Sequence, residues 1–302
     1  MRLAARLAAS GRTHGRLISI LAAVAVVATL SLAPARSGAA GDTWPGAARL
    51  AAGGTGTARV SSSGQSFRGV AAVGALFGES SGRLSSHFCT ASVVDSPHGD
   101  LAITAAHCVT GASGQIAFVP GYANGTGPYG VWQVTRVYTD AAWQSGQDPD
   151  DDVAFLQLSG APGGAPVEAV TGAEHVTSDA AARALVRVIG YPDSADQPVS
   201  CVNWTKLFSP TQLEFDCGGY TNGTSGGPFL ADVSSSSGQG TVIGVIGGHE
   251  QGGDLPQVSY SVAFGATSAE QIVANAAAGE WEPAQEELAE LDKISPPPAR
   301  EP

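Results

Sequence analysis

The sequence predicts an all-β fold of the sandwich or barrel kind, and three features carry that expectation. Glycine (40 residues) and proline (18) are frequent along the 302-residue chain, which favours turns over long helices. The apolar stretches are short, and turn residues separate them at repeated intervals. Residues 267–278 (TSAEQIVANAAA) form the best helix candidate in the chain, with Ser268 and Gln271 in capping-box positions and Gly279 as its stop. An apolar fraction of 43% is enough for a sizeable core, in one large domain or two small ones.

The strands follow in order. Val70–Phe77 (VAAVGALF) comes first, then His87–Val94 (HFCTASVV) and Leu101–Ala106 (LAITAA), joined by the turn residues Asp95–Asp100. Gln115–Val119, Val131–Tyr138 and Val153–Leu158 continue the series, and Val131–Tyr138 alternates with the period of two of a half-buried strand. A Pro/Gly-rich connection, Ala161–Pro166, separates a second set: Arg183–Ile189, Val199–Leu207, Gln212–Cys217, Pro228–Val233, Thr241–Ile246 and Val258–Ala263. Residues 41–69 are rich in Gly, Ala, Ser and Thr and read as a propeptide or flexible arm. The tail, 280–302, is acidic and then Pro-rich.

The first 40 residues read as an export signal. Arg2, Arg6, Arg12 and Arg16 precede an uncharged apolar run, Leu17–Leu32, which is too short for a membrane span of about 20 residues. Ala33-Pro34-Ala35 or Gly38-Ala39-Ala40 fits the cleavage pattern. Loss of residues 1–36 leaves 10 basic against 27 acidic residues, a net charge of −17. Only two lysines occur and no basic stripe, so nucleic acid is excluded as a partner. The expected product is a secreted, extracellular monomer with no stable membrane association. Four cysteines in an exported chain imply two disulfides, and pairing sequence neighbours gives Cys89–Cys108 and Cys201–Cys217. No CxxC spacing supports a zinc site, and no metal or cofactor is expected. The acid run Asp148–Asp152 reads as a solvated loop rather than a calcium site.

Three separated segments carry the chemistry. Thr104–Cys108 (TAAHC) ends a strand with a histidine, Asp151–Leu156 (DDVAFL) leads an acid into an apolar run, and Gly223–Pro228 (GTSGGP) presents a serine in a glycine-rich loop. A neutral serine hydroxyl is a poor nucleophile. It needs a base within hydrogen-bond reach and a third group to orient that base. Each residue alone would mean little; the joint occurrence carries the weight. The Gly223–Gly227 stretch also fits the nucleophile elbow of α/β-hydrolases, but Pro228 and the strand after it leave no room for the helix that elbow requires.

Read together, FCTASVV, ITAAHC, DDVAFLQL and GTSGGPFL resemble the chymotrypsin-like serine peptidases, and most of all the secreted bacterial branch that includes the glutamyl endopeptidases. The resemblance spans about residues 70–267. It implies two antiparallel six-stranded β-barrels, about 70–160 and 161–266, followed by a C-terminal helix, in a peptidase domain of residues 70–279. It implies His107 as general base, Asp152 as its orienting acid and Ser225 as nucleophile, with the amides of Gly223 and Ser225 as oxyanion hole. It also supports the Cys89–Cys108 bridge. A substrate pocket is expected from Gly219, Tyr220, Thr221, Asn222, Ile246 and Gly247, with no acid at the base where trypsin-like enzymes receive Lys or Arg. The glutamyl endopeptidases use a histidine near the position of Ile246; His249 comes about three residues late and reads as a surface loop residue. One departure stands out: the family's aspartate before the serine, which pairs with a new N-terminal amine on activation, is Thr224 here. That ion-pair switch cannot operate in its usual form; separately, the change of texture at Val70 raises the expectation of propeptide cleavage near Arg68 or Gly69. The function implied is secreted endopeptidase acting on protein or peptide substrates; the alternative is a catalytically silent homologue that binds an extracellular partner.

Overall fold

Strands buried on both faces read as continuous apolar runs, and this chain uses such runs to build two halves and the seam between them. The computed structural model describes residues 60–110, 114–159, 164–179 and 181–264. All of them belong to one compact unit, Asp42–Pro302. The expected signal, the helix at 267–278 and the tail lie outside the described residues.

The strands in chain order are β1 (Gln65–Ser66), β2 (Val73–Ser80), β3 (Arg83–Val94), β4 (Leu101–Thr104), β5 (Gln115–Pro120), β6 (Trp132–Thr139) and β7 (Ala154–Ser159), then β8 (His175–Val176), β9 (Leu185–Gly190), β10 (Val199–Leu207), β11 (Gln212–Asp216), β12 (Pro228–Ala231), β13 (Thr241–Val245) and β14 (Val258–Val262). Two short helices, α1 (Ala141–Gly146) and α2 (Val167–Thr171), stand in connections, and Asp140 caps α1 by accepting from the Ala142 amide at 2.7 Å. Strands β2 to β7 close into a six-stranded barrel in the order β2-β3-β4-β7-β6-β5.

The second half departs from the expected six-stranded barrel. It is an eight-stranded sheet ordered β14-β11-β10-β9-β12-β13-β8, with β1 added on β10. Short β8 pairs in parallel with the start of β13, taking the edge that would otherwise close onto β14. Beyond β8, the chain after β13 meets β14 through the Gly247 amide donating to the Tyr260 carbonyl at 3.0 Å, without a ladder. Residues 60–69, the described end of the segment read as a propeptide or flexible arm, pack on the second half: β1 pairs antiparallel with β10, Gln65 opposite Ser200 and Ser66 opposite Val199.

Alternation along each strand divides the core into three. Leu76, Val93, Ala102, Phe118, Trp132 and Leu156 fill the barrel. Val188, Phe215, Tyr220, Phe229 and Ile243 fill the second half. The intervening positions, Val73, Ile103, Phe155, Ile189, Leu230 and Val242, meet in the seam. Burying each such side chain contributes roughly 1.5–3 kcal/mol. The seam thus locks the two halves into one body.

Candidate active site

Strand register brings His107 and Asp152 together. Thr104 on β4 pairs with Ala154 on β7 in an antiparallel ladder. The chain leaving β4 therefore runs beside the chain entering β7, and a single helical turn at Ala106–Cys108 carries His107 onto Asp152. The Asp152 carboxylate is fully buried. It accepts the His107 amide at 2.8 Å on Oδ1, and on Oδ2 it accepts His107 Nδ1 at 2.7 Å and the Gly248 amide at 2.8 Å. A carboxylate can only accept, so Nδ1 carries a proton, which in the neutral imidazole leaves the lone pair on Nε2, the form a base requires. Cys108, next in sequence, is bound to Cys89 on β3, which ties the histidine turn to the barrel.

Ser225 lies on the loop between β11 and β12, and the loop is shaped from within. Thr224 is buried; its amide and its hydroxyl both donate to the Thr221 carbonyl, at 3.1 and 2.7 Å, and the Gly227 amide donates to the Thr224 carbonyl at 3.0 Å. Thr224 thus holds the turn through its own backbone and hydroxyl. Gly223 has φ +91°, and a Cβ there would fall 2.6 Å from the Tyr191 carbonyl oxygen. Gly226, at φ +79°, lies against Thr104, the Thr90 carbonyl and Ala105, where a side chain would collide. The serine loop thus abuts the segment that bears His107.

One barrel residue not given a role in the sequence reading organises this approach. Thr90 on β3 is fully buried; its amide donates to the Ser225 carbonyl at 2.8 Å, and its hydroxyl donates to the Gly223 carbonyl at 3.0 Å. The same hydroxyl accepts the Tyr191 amide at 2.8 Å, and the Thr90 carbonyl accepts the Thr104 hydroxyl at 2.7 Å. The amides of Thr224, Gly226 and Gly227 are bonded, whereas those of Gly223 and Ser225 donate to no acceptor among the described residues. The Ser225 hydroxyl likewise makes no hydrogen bond among the described residues.

The sequence profile of the trypsin family matches residues 68–269. The chain belongs to the trypsin family. Among solved structures it is similar to the protease Anisep from Arthrobacter nicotinovorans, at 26% identity, with 71% of this chain and 99% of that one covered and a TM-score of 0.59. It shares its fold with the thermostable serine protease AL20 from an extremophilic microorganism, at 24% identity and a TM-score of 0.57, covering 70% of this chain and 97% of that one. It also shares it with a Glu endopeptidase in complex with MPD, at 15% identity and a TM-score of 0.53, covering 69% and 91%. No curated protein matches the chain.

Within this trypsin-family domain the expected pocket residues divide. Gly219, Thr221 and Asn222 are exposed, and Gly247 packs against Asp152 and Ala105. Tyr220 turns inward: its ring packs on Phe215 and its hydroxyl donates to the Val188 carbonyl at 2.8 Å. Ile246 is likewise in the core of the second half. Both side chains are buried. His249 stacks on Phe208 at 4.5 Å and meets Tyr260 edge-on at 4.8 Å.

The acid run is taken up by protein donors. Asp148 caps its own turn by accepting the Asp150 amide, and Asp150 accepts from Thr211 and Gln212 at 2.8 and 2.7 Å. Among the described residues the one converging set of ligand-type side chains is Cys89, His107 and Cys108, whose two sulfurs are joined as the disulfide. The second disulfide, Cys201–Cys217, also follows the neighbour pairing.

Proposed function

We propose that this trypsin-family chain is a secreted serine endopeptidase. Ser225 attacks the peptide carbonyl while His107 Nε2 takes its proton; His107 then protonates the leaving amine, and water resolves the acyl-enzyme. Asp152 fixes the tautomer and stabilises the imidazolium. The amides of Gly223 and Ser225 receive the oxyanion, a contribution of roughly 3–4 kcal/mol for a well-placed donor. The observation that carries the reading is the buried Asp152 carboxylate, bonded to Nδ1 and to two backbone amides beside the loop of Ser225. In this reading a Ser225–His107 hydrogen bond forms when substrate binds, since catalytic hydrogen bonds are often long or unmade before the complex assembles. Export is supported by the leader composition and the two disulfides. No described helix is long and apolar enough to cross a membrane.

The test is a fluorophosphonate probe with casein as substrate. The native chain should take one label at Ser225 and cleave casein, and Ser225→Ala should do neither while keeping its fold. A native protein that neither labels nor cleaves would instead be a silent binding homologue.

A further inference from the structure

The family match begins at residue 68, yet the seven residues before it are built into the second half. Ser61 donates its amide to the Val202 carbonyl at 2.9 Å, β1 pairs with the start of β10, and the Phe67 amide donates to the Pro198 carbonyl at 3.1 Å. The Phe67 ring lies 4.7 Å from the guanidinium carbon of buried Arg187. On its other side the segment holds Gly218. The Gly64 amide donates to the Gly218 carbonyl at 2.7 Å, and the Gly218 amide donates to the Ser62 carbonyl at 2.9 Å, so both backbone groups of Gly218 are taken up. Gly219, at φ +97°, has Gly64 as its nearest neighbour in the direction of a side chain. β11 pairs with β10 only at Thr205–Leu207, and the segment fills the gap left where the two strands part.

We propose that residues 61–67 are a splint of the substrate pocket. They set the position of Gly218–Gly219, and thereby of the 219–222 wall that leads into the serine loop. The active protein therefore retains them, and any maturation cleavage falls before Ser61 rather than at Arg68 or Gly69. A cut at residue 68 would leave the splint attached by hydrogen bonds alone. This inference rests on the peptidase reading.

The experiment places Gly64→Pro in the full chain, which removes the amide bonded to Gly218, with Ser86→Ala on β3, exposed and outside the segment, as control. Active sites are counted with the fluorophosphonate, and kcat and KM are measured on a peptide substrate. Displacing a substrate-binding wall should raise KM by about tenfold or more in Gly64→Pro, with kcat per labelled site less affected and Ser86→Ala unchanged. The N-terminus of labelled, secreted native protein should lie before Ser61. A KM within about twofold of native in folded Gly64→Pro, or a labelled species that starts at or after Arg68, overturns the inference; if Gly64→Pro does not fold, the N-terminal sequence decides alone. Native protein that takes no label overturns the peptidase reading and this inference with it, whereas full labelling with an unchanged KM overturns only this one.

Discussion

Thr90 makes three hydrogen bonds to the second half: its amide to Ser225, and its hydroxyl to Gly223 and Tyr191. Thr90→Val keeps the shape and removes the hydroxyl, leaving the Gly223 carbonyl and the Tyr191 amide unpartnered in a buried place. Each orphaned group costs about 1–3 kcal/mol. The same change loosens the peptide that precedes Thr224, so the expected outcome is a lower Tm together with a fall in kcat larger than any rise in KM. Calorimetry and steady-state kinetics on one preparation check both. The triad candidates were legible because each sits in its own short motif. Thr90 was not: it stands inside a motif, FCTASVV, but a threonine in a strand carries no signal of what its hydroxyl will meet 133 residues away. The inward turn of Tyr220 and Ile246 was not legible for the related reason that sequence position does not give side-chain direction.

At the level of elements, the twelve anticipated strands correspond to β2 to β7 and β9 to β14, with ends shifted by a few residues. Their apolar runs are long enough to declare themselves. β1 and β8 have two residues each and little apolar content, so no periodicity could announce them. They exist through their partners, and they are what turns the expected second barrel into an eight-stranded sheet. The Cys201–Cys217 disulfide closes a separation of 16 residues at the base of the serine loop, from β10 to the end of β11. Replacing both cysteines by alanine should lower stability by about 3 kcal/mol on the chain-entropy account. Chemical denaturation should report this as a reduced midpoint.

For the molecule as a whole, the junction between barrel and second sheet holds a buried acid. Glu174 is fully buried; its backbone bonds to Val93 on β3 and to Asp95 just after it, and its carboxyl accepts the Gly240 amide on one oxygen while the other has no partner among the described residues. Burial pushes its pKa up to about 8, against the pull of that amide and of Arg187. Burial lowers Arg187 to about 9. In the folded protein Glu174 holds a proton that the unfolded chain releases near pH 4.3. Its contribution to stability is therefore intact below that pH, falls as pH rises towards 8, and is level above. Arg187 stays charged in both states across this window and adds no slope. Glu174→Gln, which mimics the protonated acid, should match the native protein at pH 4 and exceed it at pH 8; equal Tm differences at the two pH values would refute this. The family and both halves were readable from sequence because the apolar runs and motifs are local, whereas the junction was not, since Glu174 and Arg187 look like surface charges until the seam closes over them.

Because one threonine of the barrel grips the nucleophile's loop across the seam, the two halves need not unfold to switch the chemistry off. A parting of a fraction of an ångström along that line would break the grip first. Under gradual heating, turnover should then fade before either half melts, and the temperature at which it fades would measure adhesion between the halves rather than the strength of either.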